Sequence, residues 1–351
     1  MTRFVNRFQT PFLLSLLLLL LVALLVGFGS PMLIRVGIGG LIAAVLVIGL
    51  FVFIGNSGIL SFGHLGFSAI SAYMTAWLTM RPQMKAMMLP GLPEYLQQAQ
   101  WPPFATTLVA GLAAALVALV TGVFIMRMSG IAASIATFAF AAIVNTVYSN
   151  SDSVTGGVGS LAGIPTGLSI WLVLAWAVAA LFIAHAFSVS GYGLALKAAR
   201  EDEIAAKASG IRILRVRLAA WVISAFLCGI AGNLQARYLG VISPESFYLG
   251  ATFLALTMLI VGGIASLTGA IVGVVTVTAV MEALIRLEGQ TISAIDVTVP
   301  PGTANFLIAV LLCLVLVKRP KGLFGDGEAT LPKARGFAPG QAVTAKPITG
   351  E

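Results

Sequence analysis

Ten apolar runs of roughly membrane-spanning length follow one another along this chain, and that recurrence leaves few ways to fold it. They fall at about 11–28, 34–54, 66–80, 104–126, 131–149, 167–187, 218–239, 250–264, 270–286 and 303–317. A helix needs about 20 apolar residues to cross a hydrocarbon core about 30 Å thick, and inside it only helices and closed barrels satisfy every backbone group. Of the 351 residues 59% are hydrophobic and the mean hydropathy is +1.03, well above a soluble domain. The expected fold class is all-α: a polytopic integral membrane helical bundle of about ten transmembrane segments, with broken or re-entrant helices. No stretch between runs is long enough to hold a soluble core. One membrane domain over 1–325 is therefore expected, followed by a disordered tail over 326–351 rich in Gly, Pro, Ala and Lys. The first run follows Arg3 and Arg7 but exceeds a usual signal-peptide core and shows no clear small-x-small cleavage site, so it reads as a retained first span.

Charge sorts by loop. A net charge of +8 in a soluble chain would point to nucleic acid, but here 15 basic residues fall on one side of the ten-run topology. The other side holds five: Arg35, Arg81, Lys85, Arg237 and Arg286. This positive-inside bias places both termini in the cytoplasm, together with the stretch Lys197–Gly210, KAAREDEIAAKASG. That stretch is a charged, helix-forming island between two apolar runs. Arg200, Glu201, Asp202, Glu203 and Lys207 cannot sit in hydrocarbon without large cost, so the island stands in water and reads as a docking surface.

Two segments interrupt helix pairs with glycines and hydroxyl residues: GNSGILSFGHLGF at Gly55–Phe67 and GGIASLTGA at Gly262–Ala270. Unwound backbone at membrane depth is tolerated only where protein or water satisfies it, so paired breaks mark a candidate translocation path. Its candidate residues are Asn56, Ser57, Ser61, His64, Gly262, Gly263 and Ser266. Close helix packing explains the same glycines equally in kind. The loop Asn150–Gly167 has five glycines and one proline, and reads either as a connector or as a cap on the outer mouth.

Several chemistries find no support in the residues. Cys228 and Cys313 both lie in apolar runs, where a thiol behaves as a small hydrophobe. His64 and His185 have no Cys, Asp or Glu beside them to complete a metal set. Glu282 and Arg286 stand four apart and read as an ion pair on one helix face. A stand-alone carrier driven by protons or sodium would need embedded acids, and an intramembrane enzyme a pair such as two in-span aspartates; Asp152 and Asp296 fall in outer loops. No Lys is followed by Ser or Thr, so the phosphate-binding loop GxxxxGK[ST] is missing and the chain is not its own ATPase.

Five motifs in order, GNSGILSFGHLGFSAISAY, TGGVGSLAGIP, AAREDEIAAKASGI, the run from Ser224 to Gly273 that contains GGIASLTGA, and RPKGLFG, resemble the permease subunit of branched-chain amino acid ABC importers, in the LivM-like branch. The resemblance covers about residues 37–325. It implies a non-catalytic translocation subunit of the bacterial inner membrane that pairs with a second, LivH-like permease. It further implies two cytoplasmic ATP-binding subunits and a periplasmic substrate-binding protein, with ATP and magnesium used by the partners and no cofactor bound by this chain. Permeases for urea, short amides and aromatic acids share these motifs. By the same resemblance Arg200, Glu201, Glu203, Ala205, Ala206 and Gly210 match the coupling segment that docks to the ATPase. There small Ala205 and Ala206 would allow close approach, and Gly210 would end the helix.

Overall fold

The computed structural model describes residues 9–287 without a gap, and beyond them 291–292, 297–298, 302–303, 306–307, 309–310, 317–318, 322–325 and 327–328. Helices dominate. In order they are α1 (Gln9–Gly27), α2 (Pro31–Ser57), α3 (His64–Thr79), α4 (Pro82–Met88), α5 (Glu94–Gln97), α6 (Pro103–Ile125) and α7 (Gly130–Ser149). Then come α8 (Asp152–Thr155), α9 (Ile170–Ser188), α10 (Gly191–Glu201), α11 (Glu203–Ala208), α12 (Ile213–Leu239), α13 (Leu249–Gly262) and α14 (Leu267–Leu287). The described strands are two-residue pieces: β1 (Leu161–Ala162) pairs antiparallel with β2 (Val241–Ile242), Leu161 opposite Ile242, and β3 (Thr291–Ile292) pairs with β4 (Val297–Thr298).

Eight described helical segments are long and apolar enough to cross a membrane. The expected ten are not reached among the described residues, for two reasons. Helix α3, where the run 66–80 was read as a span, has only 16 residues, short of the about 20 a crossing needs. The run at 303–317 lies mostly outside the described residues.

Sequence explains the helix boundaries. Proline occupies the first turn of α2 and of α6, where its missing N–H has no partner to lose. Helix α2 stops at Gly58, which takes a left-handed φ of +70° that a side chain would strain. The two most buried spans, α2 and α12, form the centre of the bundle.

Small residues bring the helices together. Hydrophobic driving force between helices is weak in lipid, so close backbone contact and buried hydrogen bonds carry the packing. A Cβ on Gly49 would stand 2.9 Å from Cys228 Sγ, and Ser224 Oγ donates to the Gly49 carbonyl at 2.6 Å. Gly232 of α12 lies directly on the Ser68 backbone of α3, while Ser68 Oγ donates to the Cys228 carbonyl at 2.8 Å. Asn233 joins three helices: its Nδ2 donates to Thr75 Oγ1 at 2.6 Å, and its Oδ1 accepts from Thr107 Oγ1 at 2.8 Å.

Contacts between loops define two ends. At one, which carries the charged island, the α6–α7 turn meets the base of α12: Arg217 Nη1 reaches Ser129 Oγ at 3.1 Å. At the far end β1 pairs with β2, Trp101 N–H reaches the Leu78 carbonyl at 3.0 Å, and Trp77 Nε1 donates to the Val154 carbonyl at 2.9 Å. The loop Asn150–Gly167 is thus tied to its neighbours, with Gly156 and Gly157 at left-handed φ of +79° and +62°. Lys85 is buried there, its ammonium bonded to the Leu96 and Ala99 carbonyls at 2.9 and 2.6 Å, and burial draws its pKa down to about 8. Of the five basic residues assigned to the sparse side, Arg81 and Lys85 sit on the far-end connection around α4, Arg237 and Arg286 in the last turns of α12 and α14, and Arg35 near the start of α2, where its carbonyl accepts from Tyr238 Oη at 3.2 Å.

Candidate functional site

The island is two short helices hinged at Asp202. Helix α10 opens on Ser190, whose Oγ accepts from Gly193 N–H at 3.2 Å. Asp202 ends it in extended backbone and starts α11, its Oδ1 accepting from Ile204 and Ala205 N–H at 2.8 and 3.0 Å. A carboxylate at a helix N-terminus satisfies orphan donors and meets the positive end of the dipole. Gly210 closes α11 at φ +82°, with Gly210 N–H on the Lys207 carbonyl and Ile211 N–H on the Ala206 carbonyl, the bonds of a Schellman turn.

One face of this elbow is spoken for. Ala206, Ala199 and Ile213 form a small buried apolar cluster with Ile211 packed on it. Glu203 faces inward as well: Oε2 takes Arg217 Nη2 at 2.7 Å, while Oε1 takes Lys207 Nζ at 2.7 Å and Ser129 Oγ at 3.2 Å. Arg217 is 5% exposed and needs that counter-charge. The bond from Lys207, opposed by burial and reinforced by Arg217 and Ser129, holds the Glu203 carboxyl down at about 2. Of the residues read as a docking surface, Glu203 and Ala206 therefore anchor the elbow to its own bundle, whereas Glu201, Ala205 and Gly210 are exposed. Beside them Ile204 stands 82% exposed, an apolar knob on a charged surface.

Arg200 connects the elbow to the first helix break. Its Nη1 donates to the Gly55 carbonyl at 2.8 Å, pairing a carbonyl in the last turn of α2 that has no helical partner. A Cβ on Gly58 would press on the Arg200 stem at 2.9 Å. Within the break Ser57 Oγ accepts from Ile59 N–H at 3.2 Å and Ser61 Oγ from Gly63 N–H at 3.4 Å, so the hydroxyls serve freed backbone. Asn56 is fully buried, with Nδ2 on the Val52 carbonyl at 2.9 Å. His64 is fully buried among Trp221, Phe53 and Phe67, at centroid distances of 4.8, 5.6 and 6.2 Å, and neither ring nitrogen has a hydrogen-bond partner.

The second break lies at the same end and touches the first: a Cβ on Gly55 would meet the Ile264 carbonyl at 2.7 Å. Helix α13 crosses α14 on bare backbone, Gly262 against Gly269 and Gly273 against Met258. A strap from RPKGLFG covers the crossing. Leu323 and Phe324 N–H donate to the Val261 and Gly262 carbonyls at 2.8 and 3.0 Å, and Ser266 Oγ to the Gly325 carbonyl at 3.2 Å. Gly322, at φ +79°, lies 2.7 Å from Gly263 Cα as measured from a built Cβ, too close for any side chain. Glu328 then caps α14, accepting from Leu267 N–H at 2.8 Å and from Thr268 N–H and Oγ1 at 3.2 and 2.9 Å. Glu328 falls within the stretch read as tail; apart from it and Gly327, that stretch lies outside the described residues.

Between elbow and breaks opens a groove of about 870 Å³, lined by Ser57, Gly58, Arg200, Glu203, Arg217, Ile264 and neighbours. Among the seven residues read as a path, Ser57 borders this groove, and Asn56, Ser61, His64 and Ser266 are turned into the protein. Reading the sequence missed Asp202 as a hinge, Arg217, Ile204 and Glu328. The cap signal of Asp202 was available in D-x-x-A-x-x-x-S-G; the other three depend on long-range contacts.

Comparison with known proteins fits this geometry. A family model described as branched-chain amino acid transport system / permease component matches residues 32–316. The high-affinity branched-chain amino acid transport system permease protein LivM of Escherichia coli is 27% identical over 336 residues, covering 86% of this chain and 72% of its own length. The corresponding LivH protein of Salmonella typhimurium is 34% identical over 161 residues, covering 45% of this chain and 47% of its own. A probable LivM protein of Methanocaldococcus jannaschii is 26% identical over 164 residues, 46% of this chain and 48% of its own. No solved structure matches. With four-fifths of its length matched, the chain belongs to the family of branched-chain amino acid transport system permease components.

Proposed function

We propose that this chain is the membrane-spanning permease subunit of an ATP-driven importer that moves branched-chain or related amino acids inward across the bacterial inner membrane. The observation that carries the reading is the single guanidinium of Arg200, which joins an exposed elbow to the break at the end of α2. A force delivered to the elbow reaches the break through this bond and through the packing of α10 against α2. The island end, where Arg127 and the six basic residues from Lys197 to Arg217 gather, then faces the cytoplasm, and both termini lie on that side. ATP and magnesium are handled by two cytoplasmic partner subunits, a LivH-like permease supplies the other half of the pathway, and a periplasmic binding protein delivers substrate to the far-end cap. This chain performs no chemistry of its own.

Ile204 is the contact the partner ATPase would seat, because an exposed apolar side chain ringed by charge gains most from being covered. The test is Ile204→Asp in the assembled complex. Loss of ATP-binding subunits on copurification, with normal membrane insertion, is the expected result; full retention of those subunits and of leucine uptake contradicts the assignment.

A further inference from the structure

A second cavity, of about 310 Å³, opens in the far-end half of the bundle between α2, α12, α13 and α14. Its volume sits at the lower end of the about 300–1,000 Å³ typical of small-molecule sites. The body is aliphatic, with Leu46 and Met258 among its walls. Gln235 and Tyr238 on α12 and Thr278 and Glu282 on α14 line it with polar groups, beside Ser68 of α3 and Ser246. Thr278 Oγ1 is buried with no hydrogen-bond partner, an arrangement that costs free energy unless something else supplies one. Glu282 belongs to the lining and is paired with Arg286 Nε at 2.8 Å just outside it.

We propose that this cavity is a transit site for a small zwitterion with an aliphatic side chain, the side chain against Leu46 and Met258 and the charged end toward Gln235, Thr278 and the Glu282–Arg286 pair. The proposal deepens, and rests on, the importer reading above. It also moves the path. The cavity and the island-end groove share α2 and α13 as walls, at Val36–Leu46 and Ala251–Met258 for the one and Ile54–Ser57 and Ile260 for the other. Between them Leu50, Phe51 and Leu259 are at most 1% exposed, a closed partition in this conformation. Substrate entering from the far end would rest above that partition until the elbow moves the end of α2.

The experiment uses the complete complex in proteoliposomes, with Cys228 and Cys313 replaced by Ala and Thr278→Cys introduced. Leucine uptake by the wild-type complex is measured first. A small water-soluble methanethiosulfonate should then modify the introduced thiol in the nucleotide-free state, at least fivefold more slowly with millimolar L-leucine and at an unchanged rate with L-aspartate. If the thiol is inert in every nucleotide state, or its rate ignores leucine while the same preparation imports leucine, the cavity is a packing or lipid-filled void and the proposal is overturned. Gln235→Cys carries the same readout should Thr278→Cys fail to assemble. If the wild-type complex imports no aliphatic amino acid, the importer reading fails, and the transit site falls with it for that separate reason.

Discussion

The two helix breaks sit side by side at one end of the bundle yet are held by opposite means. The break after α2 is held by a side chain: Arg200 reaches in from an exposed elbow to one carbonyl, and Ser57 and Ser61 serve the remaining backbone. The break between α13 and α14 is held by backbone and a carboxylate from beyond the last apolar run, with the Gly322–Glu328 strap laid across a glycine crossing that admits no Cβ. A contact made by one long side chain can be remade when the elbow shifts. A crossing with backbone on both sides cannot slide without coming apart. Although Gly55 also lies on the Ile264 carbonyl and Gly63 on the Thr137 carbonyl, the expected motion is at the first break, with the second as its abutment.

The largest effect expected from this contrast is at the crossing. In Gly273→Leu the new Cβ would fall on the Met258 carbonyl, with no flexible atom to yield. Overpacking in cores costs about 1–3 kcal/mol, occasionally more, and here folded protein should be lost, seen as aggregation on size-exclusion chromatography in detergent. A monodisperse Gly273→Leu protein would break the claim that this abutment is rigid.

Next in size is the latch beneath the elbow. Glu203→Ala leaves the buried Arg217 without its counter-charge and should cost about 1–3 kcal/mol, read as a lower Tm. The same latch sets a pH dependence. Because the Glu203 carboxyl is held at about 2 when folded and lies near the usual carboxylate range of about 4.3 when unfolded, its contribution is complete above pH about 4.5. It is lost as pH falls toward 2. Hydrogen exchange of the α11 amides should accelerate over that interval in the wild type and show no such step in Glu203→Ala.

The smallest expected effect is at the strap. Glu328→Ala removes an N-cap supplied from 60 residues away and should cost about 0.5–2 kcal/mol, with faster exchange at Leu267 and Thr268. Truncation after residue 330 should leave those amides protected. Equal exchange in Glu328→Ala and wild type would remove the strap from the account.

Much of the architecture was legible because apolar length and charge placement are local signals. The spans from Gln9 to Gly27 and from Ile213 to Leu239, the turn at Gly210 and the Glu282–Arg286 pair all follow from neighbours within a few residues. Asymmetry between the breaks was not legible: GNSGILSF and GGIASLTG are both built of glycines and hydroxyl residues, and only the fold brings Arg200 to one and Glu328 to the other. The inward pairing of Glu203 was hidden for a related reason. A charged residue four before Lys207 reads as surface, and its partner Arg217 lies inside the first turns of an apolar helix. His64 read as a polar lining, but three aromatic rings converge on it from α2, α3 and α12.

Uptake per ATP hydrolysed, measured on the reconstituted complex carrying Arg200→Ala, tests the central claim most directly. Removing that one bond should cut leucine uptake at least tenfold while hydrolysis stimulated by the binding protein stays within about twofold of wild type, because the elbow still docks but no longer pulls on Gly55. An unchanged ratio of uptake to hydrolysis would show that the elbow acts on the bundle by another route.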